Sequence, residues 1–318
     1  MSPPTTLSVV IPTFERPTWI KRAVGSLVRQ TRPPDEVVVV MRDTDEPTHR
    51  SVEELGREEL PFALRSAMVS EPGFLPPVKK GISLASGEVI AVLDDDAEAL
   101  ETWAERILSN YREATIAAVG GRIINVSGDV IDDVPETDTV GRVTRFGRFL
   151  GNLYKRPTFT DPIDVDFLGG GCMSFRRSVA RELEFDMELN HNVADGYEVD
   201  LGLQVKARGL RIVFDPQIAI RHYSAPRQVT GLRSLYDSEG IQWSAYNHVR
   251  VVLRRLPITR SVIAVGYMFA IGSRRAPGLF PIGLAPLTRR MGFRIAMGGA
   301  AFRGRLAAVK DCLAHPRS

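Results

Sequence analysis

Asp94, Asp95 and Asp96 stand together in GEVIAVLDDDAEAL (Gly87–Leu100), directly after the apolar run Val89–Leu93. Adjacent carboxylates repel one another, and a close like charge disfavours ionisation. A hard divalent cation relieves that repulsion. It takes oxygen ligands and needs only one or two carboxylates when waters and phosphates supply the rest. In a parallel α/β sheet, ligands bind beyond the carboxyl ends of the strands, which is where this triplet falls. A solvated acidic turn, or a cluster at a helix N-terminus favoured by the dipole, is the alternative reading.

Other residues carry weaker signals. Gly169, Gly170 and Gly171 in GGGCMSF stand before an expected helix. Glycines there allow close approach of backbone to a ligand and a helix N-terminus favours an anion, although a packing turn explains them equally. Asp43, in RDTDEP, reads equally as a turn residue. His222 closes FDPQIAIRHY, and a lone histidine is more often structural than a ligand. Cys172 and Cys312 are the only cysteines and no Cys-X-X-Cys occurs, so neither a disulfide framework nor a dithiol site is expected.

The elements that must position these residues alternate. LSVVIP (Leu7–Pro12) reads as a buried strand, Pro17–Gln30 as a helix with proline in its first turn, and Val37–Val40 as a second buried strand. The resulting βαβ unit makes the two strands parallel neighbours. Helix Pro47–Gly56, strand Phe62–Val69, helix Pro77–Ser86, strand Glu88–Leu93, helix Leu100–Tyr111 and strand Thr115–Gly121 continue the pattern. Residues 122–166 read as loop or short antiparallel strand. Asp164–Phe185 reads as strand, glycine turn and helix, Tyr197–Gly209 as a helix capped by Gly209, and Leu210–Asp215 as a strand. The fold class is α/β, a Rossmann-like, mostly parallel sheet with flanking helices. A domain edge is expected near Ala225–Pro226, separating a catalytic domain (1–225) from a basic, mainly helical region (226–318). Met1–Thr6 is short and polar, so no N-terminal signal is expected.

LSVVIPTFERP, ASGEVIAVLDDD, GGGCMSFRR and YEVDLGLQVKARGLRIVFDPQIAIRHY, in that order, resemble the motifs of family 2 nucleotide-sugar-dependent glycosyltransferases of the GT-A fold. The resemblance covers Leu7 to Tyr223, about two thirds of the chain. It implies that the triplet is the family's Asp-X-Asp element, binding Mn²⁺ or Mg²⁺ and a nucleotide sugar, with UDP as the default donor base. On this reading Asp96 ligates the metal, His222 joins the metal or diphosphate, and Asp95 faces ribose or metal. Asp94 is structural or touches the ribose. Thr13, Glu15 and Asp43 line the base and ribose pocket, and Gly170 and Gly171 approach the donor. An inverting transfer also needs a carboxylate to take the acceptor's proton. Glu198 matches that position and Asp200 is the reserve, while service to the helix dipole is the alternative for both. Arg221 and Arg227 are candidates for phosphate. Three departures stand out: Cys172 where relatives often carry Asn, Tyr197-Glu198 where many carry adjacent Glu-Asp, and PPVKKG, where Lys79 or Lys80 replaces an expected Arg.

The net charge of +3 is unevenly spread. From His248 to Ser318 there are thirteen Lys or Arg against Asp311 alone, a net of +12, which leaves −9 for the remainder. The uncharged run Ser261–Gly272 is too short for a spanning helix, which needs about 20 residues. A basic, partly apolar region of this kind suits an anionic membrane surface, with a packed helical subdomain as the alternative. The sequence reading is therefore an inverting glycosyltransferase, cytoplasmic and peripheral at the inner face of the membrane. Its acceptor is a glycan or lipid-linked hydroxyl, in cell-surface polysaccharide or glycolipid synthesis. A non-catalytic glycan-binding scaffold and a nucleotidyltransferase are the alternatives, the latter opposed by the lack of a glycine-rich basic loop after the first strand. No nucleic-acid motif is visible, so nucleic acid is not expected as a partner.

Overall fold

The computed structural model describes residues 3–128, 130–191, 194–225, 237–283 and 291–316. These fall into two compact units that interleave along the chain. The first comprises Met1–Arg142, Leu150–Phe185 and Gln204–Leu232, and the second comprises Val143–Phe149, Asp186–Leu203 and Arg233–Ser318.

The first unit is the expected α/β layer structure. Its elements are β1 (Leu7–Thr13), α1 (Pro17–Val28), β2 (Glu36–Arg42), α2 (Glu46–Leu55), β3 (Ala63–Val69), α3 (Leu75–Leu84), β4 (Val89–Leu93), β5 (Ala97–Ala99), α4 (Trp103–Asn110) and β6 (Ile116–Ser127). β1 and β4 are buried along their whole length, so their aliphatic runs need no polar alternation. β1 pairs in parallel with β2 on one side and β4 on the other, with Val10 opposite Val38 and Val92. β2 pairs in parallel with β3 at the edge.

Past β4 the sheet becomes mixed. The strand Cys172–Arg176 lies antiparallel between β4 and β6, and the strand Arg211–His222 runs parallel to β6 on its far side. The second of these is longer than the sequence suggests. It passes an irregularity between Asp215 and Ala219 and continues to His222. Asp215, 1% exposed, holds that bend by accepting from the Gln217 amide at 2.9 Å and from Asn110 Nδ2 at 2.9 Å. Among the described residues between 127 and 165 only two-residue strands occur, and one pair, Glu136–Thr137 with Arg156–Pro157, runs parallel where short antiparallel strand was expected.

The glycine run differs from the sequence reading. Gly169–Gly171 lead into the strand Cys172–Arg176, and a helix of four residues, Arg177–Ala180, follows only afterwards. Tertiary pairing decides this, because Cys172 lies opposite Leu93 and the segment fills the slot between β4 and β6. No helix N-terminus therefore stands behind the glycines.

The second unit is mainly helical, with Ser238–Arg255, Ile258–Ala270, Leu279–Gly283 and Met291–Ala314. Tyr246, Val249, Val252, Leu256, Ala264, Met268 and Ala308 form one apolar cluster, and Ile241, Ala245, Met297, Ala300 and Ala301 another. Hydrogen bonds explain why Asp186–Leu203 groups with these helices rather than with the sheet. Arg250 makes a fork to Asp186 at 2.7 and 2.9 Å, and Asn247 Nδ2 donates to the carbonyls of Leu189 (3.1 Å) and Asp195 (2.9 Å). Ser244 donates to the Asp195 carboxylate at 2.6 Å. A single cut near residue 225 therefore does not follow the compact units, and residues 226–236, with Arg227 among them, lie outside the described residues.

Candidate active site

β4 delivers the triplet. Its five buried residues end at Leu93, Asp94–Asp96 make the turn, and β5 starts at Ala97, whose amide donates to the Asp94 carbonyl at 3.1 Å. β5 then pairs antiparallel with the end of the Arg211–His222 strand, placing His222 opposite Ala97. The Tyr223 amide donates to the Asp96 carbonyl at 3.0 Å. This pairing brings His222 back to the triplet across more than a hundred residues of sequence.

Asp94, Asp96 and His222 form a compact donor set, with one ligand atom from each lying within 4.8 Å of the others. His222 Nε2 is 3.4 Å from Asp96 Oδ1 and 3.9 Å from Asp94 Oδ2. Two carboxylates and an imidazole suit Mn²⁺ or Mg²⁺ completed by waters and phosphate oxygens. Burial is the largest influence on Asp94. With the neighbouring Asp96 and Asp95 it pushes the Asp94 carboxyl up to about 6, against the pull of His222 and Arg16. A bound cation would relieve that condition, so the residues present fit the ion.

Gly171 makes room for this arrangement. A Cβ at that position would lie 2.2 Å from Asp94 Oδ2, closer than any side chain allows. Its use is thus close packing against the acidic cluster. Cys172, the next residue, lies in the core, and burial pushes its thiol up to about 11. It therefore contributes neither a donor contact nor redox chemistry.

Arg16 was not among the residues singled out from the sequence. Its Nη1 is 2.6 Å from Asp95 Oδ1 and 3.0 Å from Asp96 Oδ2, and Nη2 donates to the Ala225 carbonyl. Burial opposes its charge, but Asp95 and Asp96 outweigh that and hold the guanidinium above its ordinary value. Burial likewise raises the Asp95 carboxyl, with Arg16 opposing. Arg16 thus compensates Asp95 and one oxygen of Asp96. Asp96 Oδ2 also accepts from the Ala225 amide at 2.8 Å, which leaves Oδ1 facing His222. The signal was present in PTFERP, inside the first motif.

Thr13 is buried at the end of β1, and Glu15 follows in a left-handed turn with φ 57°. The Glu15 amide donates to Asp45 Oδ2 at 2.6 Å, and Asp45 also caps α2 by accepting from the Thr48 amide at 3.3 Å. In RDTDEP, then, Asp45 is the buried structural acid, and Asp43 is exposed beyond β2. Lys79 and Lys80 lie on the exposed side of α3. Arg221 is exposed and, alternating with His222 along the strand, points to the other face. There it borders a cavity of about 390 Å³ with Ser26, Arg29 and Glu98.

Glu198 and Asp200 belong to the second unit, in the helix Tyr197–Ala207, and they are not equivalent. Asp200 is 1% exposed and takes a two-pronged bond from Arg255, Nε to Oδ1 at 2.6 Å and Nη2 to Oδ2 at 3.0 Å. A carboxylate with both oxygens in a guanidinium fork is a poor proton acceptor. Glu198, on the same first turn, is only half-buried.

Comparisons with known proteins bear on the family and the fold. Residues 8–184 match the family described as Glycosyl transferase family 2. The O-antigen biosynthesis protein RfbC of Myxococcus xanthus is 26% identical over 76% of the chain and 19% of its own length. The glucosyl-dolichyl phosphate glucuronosyltransferase of Haloferax volcanii is 31% identical over 37% of the chain and 38% of its own length. The chain thus spans well under half of either relative. Among solved structures, GalNAc-T7 with UDP, GalNAc and Mn²⁺ superposes with a TM-score of 0.65 at 17% identity, covering 98% of this chain and 58% of that one. TarS 1-349 of S. aureus with UDP-GlcNAc gives a TM-score of 0.58 at 14% identity, covering 94% and 81%. The likeness bears out the GT-A fold expected from the motifs. With more than half of its length matched, the chain belongs to glycosyl transferase family 2.

Proposed function

We propose that this protein transfers a sugar, with inversion, from a UDP-linked donor to a hydroxyl of a glycan or lipid-linked acceptor. The observation that carries the reading is the donor set of Asp94, Asp96 and His222 at the carboxyl end of β4. It is supported by solved relatives of the same fold that hold UDP with Mn²⁺ or UDP-GlcNAc. Curated relatives named for O-antigen biosynthesis and for a dolichyl phosphate substrate support the acceptor class.

Asp96 and His222, with Asp94 beside them, would hold Mn²⁺ or Mg²⁺, which as a Lewis acid stabilises the departing diphosphate. Thr13, Glu15 and Asp43 are assigned to the base and ribose, with Asp95 kept in place by Arg16. Gly170 is assigned to the donor, while Gly171 serves it through Asp94, against which it packs. Glu198 removes the proton from the acceptor hydroxyl as its oxygen bonds the anomeric carbon and the bond to the diphosphate breaks, a contribution of roughly 10²–10⁴-fold. Asp200 is withdrawn from that role by Arg255. The reaction takes place at the inner face of the cell membrane, with residues 248–318 toward the lipid.

Thermal unfolding with UDP, GDP and dTDP, each with and without Mn²⁺, tests the donor and metal assignments. Saturation at 100 times the dissociation constant adds about 2.7 kcal/mol. A metal-dependent shift with UDP that disappears in Asp96→Asn is expected. No shift with any nucleotide would turn the reading toward a non-catalytic scaffold.

A further inference from the structure

Arg122 lies half-buried on β6, and its Nε is buried without a hydrogen-bond partner. Arg16 and Arg106 also leave Nε without a hydrogen bond, but carboxylates compensate them: Asp95 and Asp96 for Arg16, and Asp215 for Arg106. Among the described residues no carboxylate lies within ion-pair distance of Arg122. Burial and the neighbouring Arg156 both act on its guanidinium, and both lower it from its ordinary value. Arg156 in turn takes up the carboxylate of Glu136, at 3.1 Å on the surface. A partly desolvated cation that stands near a second cation and has no acid is in the condition of the aspartate triplet with the sign reversed. An ion of opposite charge relieves it.

The register of the sheet places Arg122 beside the candidate active site. Met173 lies opposite Val92 of β4 on one side and Gly120 of β6 on the other, so the three form a row across the sheet. β4 and β6 both run antiparallel to the strand between them, hence parallel to each other. Two residues further along each, Asp94 and Arg122 are level, and Arg122 shares the face of Gly120. Two strand spacings of about 4.8 Å separate their backbones by about 10 Å. The chain entering the slot between them is Gly169–Gly171, which brings no side chains. The triplet does not act on the Arg122 charge, so the two groups are neighbours without being partners. An ion at Asp96 and His222 would account for the donor diphosphate. Arg122 stands beyond it, at the level of the transferred sugar and of the group that sugar joins. With Nε buried, the two Nη atoms are the open end of the guanidinium.

We propose that Arg122 binds an anionic group carried by the substrate beyond the donor diphosphate, either a carboxylate on the transferred sugar or a phosphate on the acceptor. A guanidinium takes either oxyanion through two parallel N–H···O bonds. Arg122 then sets which substrate is accepted and not whether the diphosphate binds. The inference rests on the donor reading proposed above and names the class of substrate that the same site takes.

The test is calorimetric titration of the full-length protein, in Mg²⁺, with UDP, UDP-glucose and UDP-glucuronate, the last two differing in one carboxylate. If the anion is on the sugar, wild type should bind UDP-glucuronate about tenfold tighter than UDP-glucose. Arg122→Gln should lose that preference, and Arg122→Lys, which keeps the charge without the fork, should keep part of it. If the anion is on the acceptor, the two donors should bind alike, and inorganic phosphate added to the UDP complex should raise the melting midpoint of wild type but not of Arg122→Gln. In both cases UDP affinity is unchanged in the variants, and they melt like the wild type because no protein partner of Arg122 is lost. Variants that melt well below wild type would mark Arg122 as a structural residue and overturn the proposal. A tenfold loss of UDP affinity in Arg122→Gln would assign it to the diphosphate and overturn it too. If neither carboxylate nor phosphate gave an Arg122-dependent response while UDP bound normally, the proposal would fall and the donor reading would stand. Wild type that bound none of the UDP ligands would overturn the donor reading and the proposal with it.

Discussion

Asp200→Asn should behave as a stability variant, whereas Glu198→Gln should behave as a turnover variant. Asp200 is 1% exposed, and both of its oxygens are engaged by Arg255. Breaking a buried pair from one side costs about 3–5 kcal/mol, because it leaves an uncompensated charge. The Arg255 side chain keeps 16% of its surface exposed, so water offsets part of that loss and the lower end, about 3 kcal/mol, is expected. At roughly 2–4 °C per kcal/mol, the melting midpoint should fall by about 6–12 °C. Glu198→Gln, at a half-buried position, should act on turnover and leave UDP binding nearly intact. Circular dichroism melts read the first effect, and donor turnover below the melting range reads the second. Replacing both partners, Asp200→Leu with Arg255→Met, should recover much of the loss, since no charge is then left alone. The reasoning is refuted if Asp200→Asn melts like wild type yet abolishes turnover. Asp200 would then be the base and its pairing with Arg255 incidental to stability.

Two further substitutions probe the geometry of the first unit. Gly171→Ala would put a methyl 2.2 Å from Asp94 Oδ2, so it should displace Asp94 and weaken Mn²⁺-dependent nucleotide binding roughly tenfold or more, with the fold retained. Titration of the variant with UDP and Mn²⁺ checks this, and wild-type affinity would mean that Asp94 is not needed at the metal. Burial raises the Cys172 thiol to about 11, so at pH 8 almost none of it is thiolate. Burial also raises the Cys312 thiol, but Cys312 is only half-buried whereas Cys172 is 1% exposed, so a thiol reagent should label native protein slowly at Cys312 and reach Cys172 only on unfolding. Mass mapping of the labelled peptides decides between the two sites.

Much of this protein was legible in its sequence because it depends on local order. A strand buried on both faces must be apolar throughout, and Val89–Leu93 and Val37–Val40 are. Helices with one buried face must repeat at helical spacing, and α1 does so through Ile20, Ala23, Val24 and Leu27. Three adjacent carboxylates at the end of such a strand need compensation, whatever the fold around them. The uncharged run after Arg260 was equally visible.

Tertiary structure decided what depends on register and on distant partners. His222 reaches Asp96 only because β5 pairs with the last turnless stretch of a strand that began at Arg211. Gly171 enters a strand because Cys172 finds Leu93 opposite it, and no local preference in GGGCMSF reports that. Of the two acids in RDTDEP, burial beneath the Glu15 turn picked Asp45 for the structural role and left Asp43 exposed. Glu198 and Asp200 are alike in sequence, two residues apart on one helix start. A guanidinium 55 residues further along separates their chemistry. Which side of Ile258–Ala270 faces outward likewise rests on where Ser261, Ala264 and Met268 find neighbours. The spacing of residues along a chain determines which face an element can bury, but the partner that covers the face, and the charge that neutralises an acid, come from elsewhere in the fold.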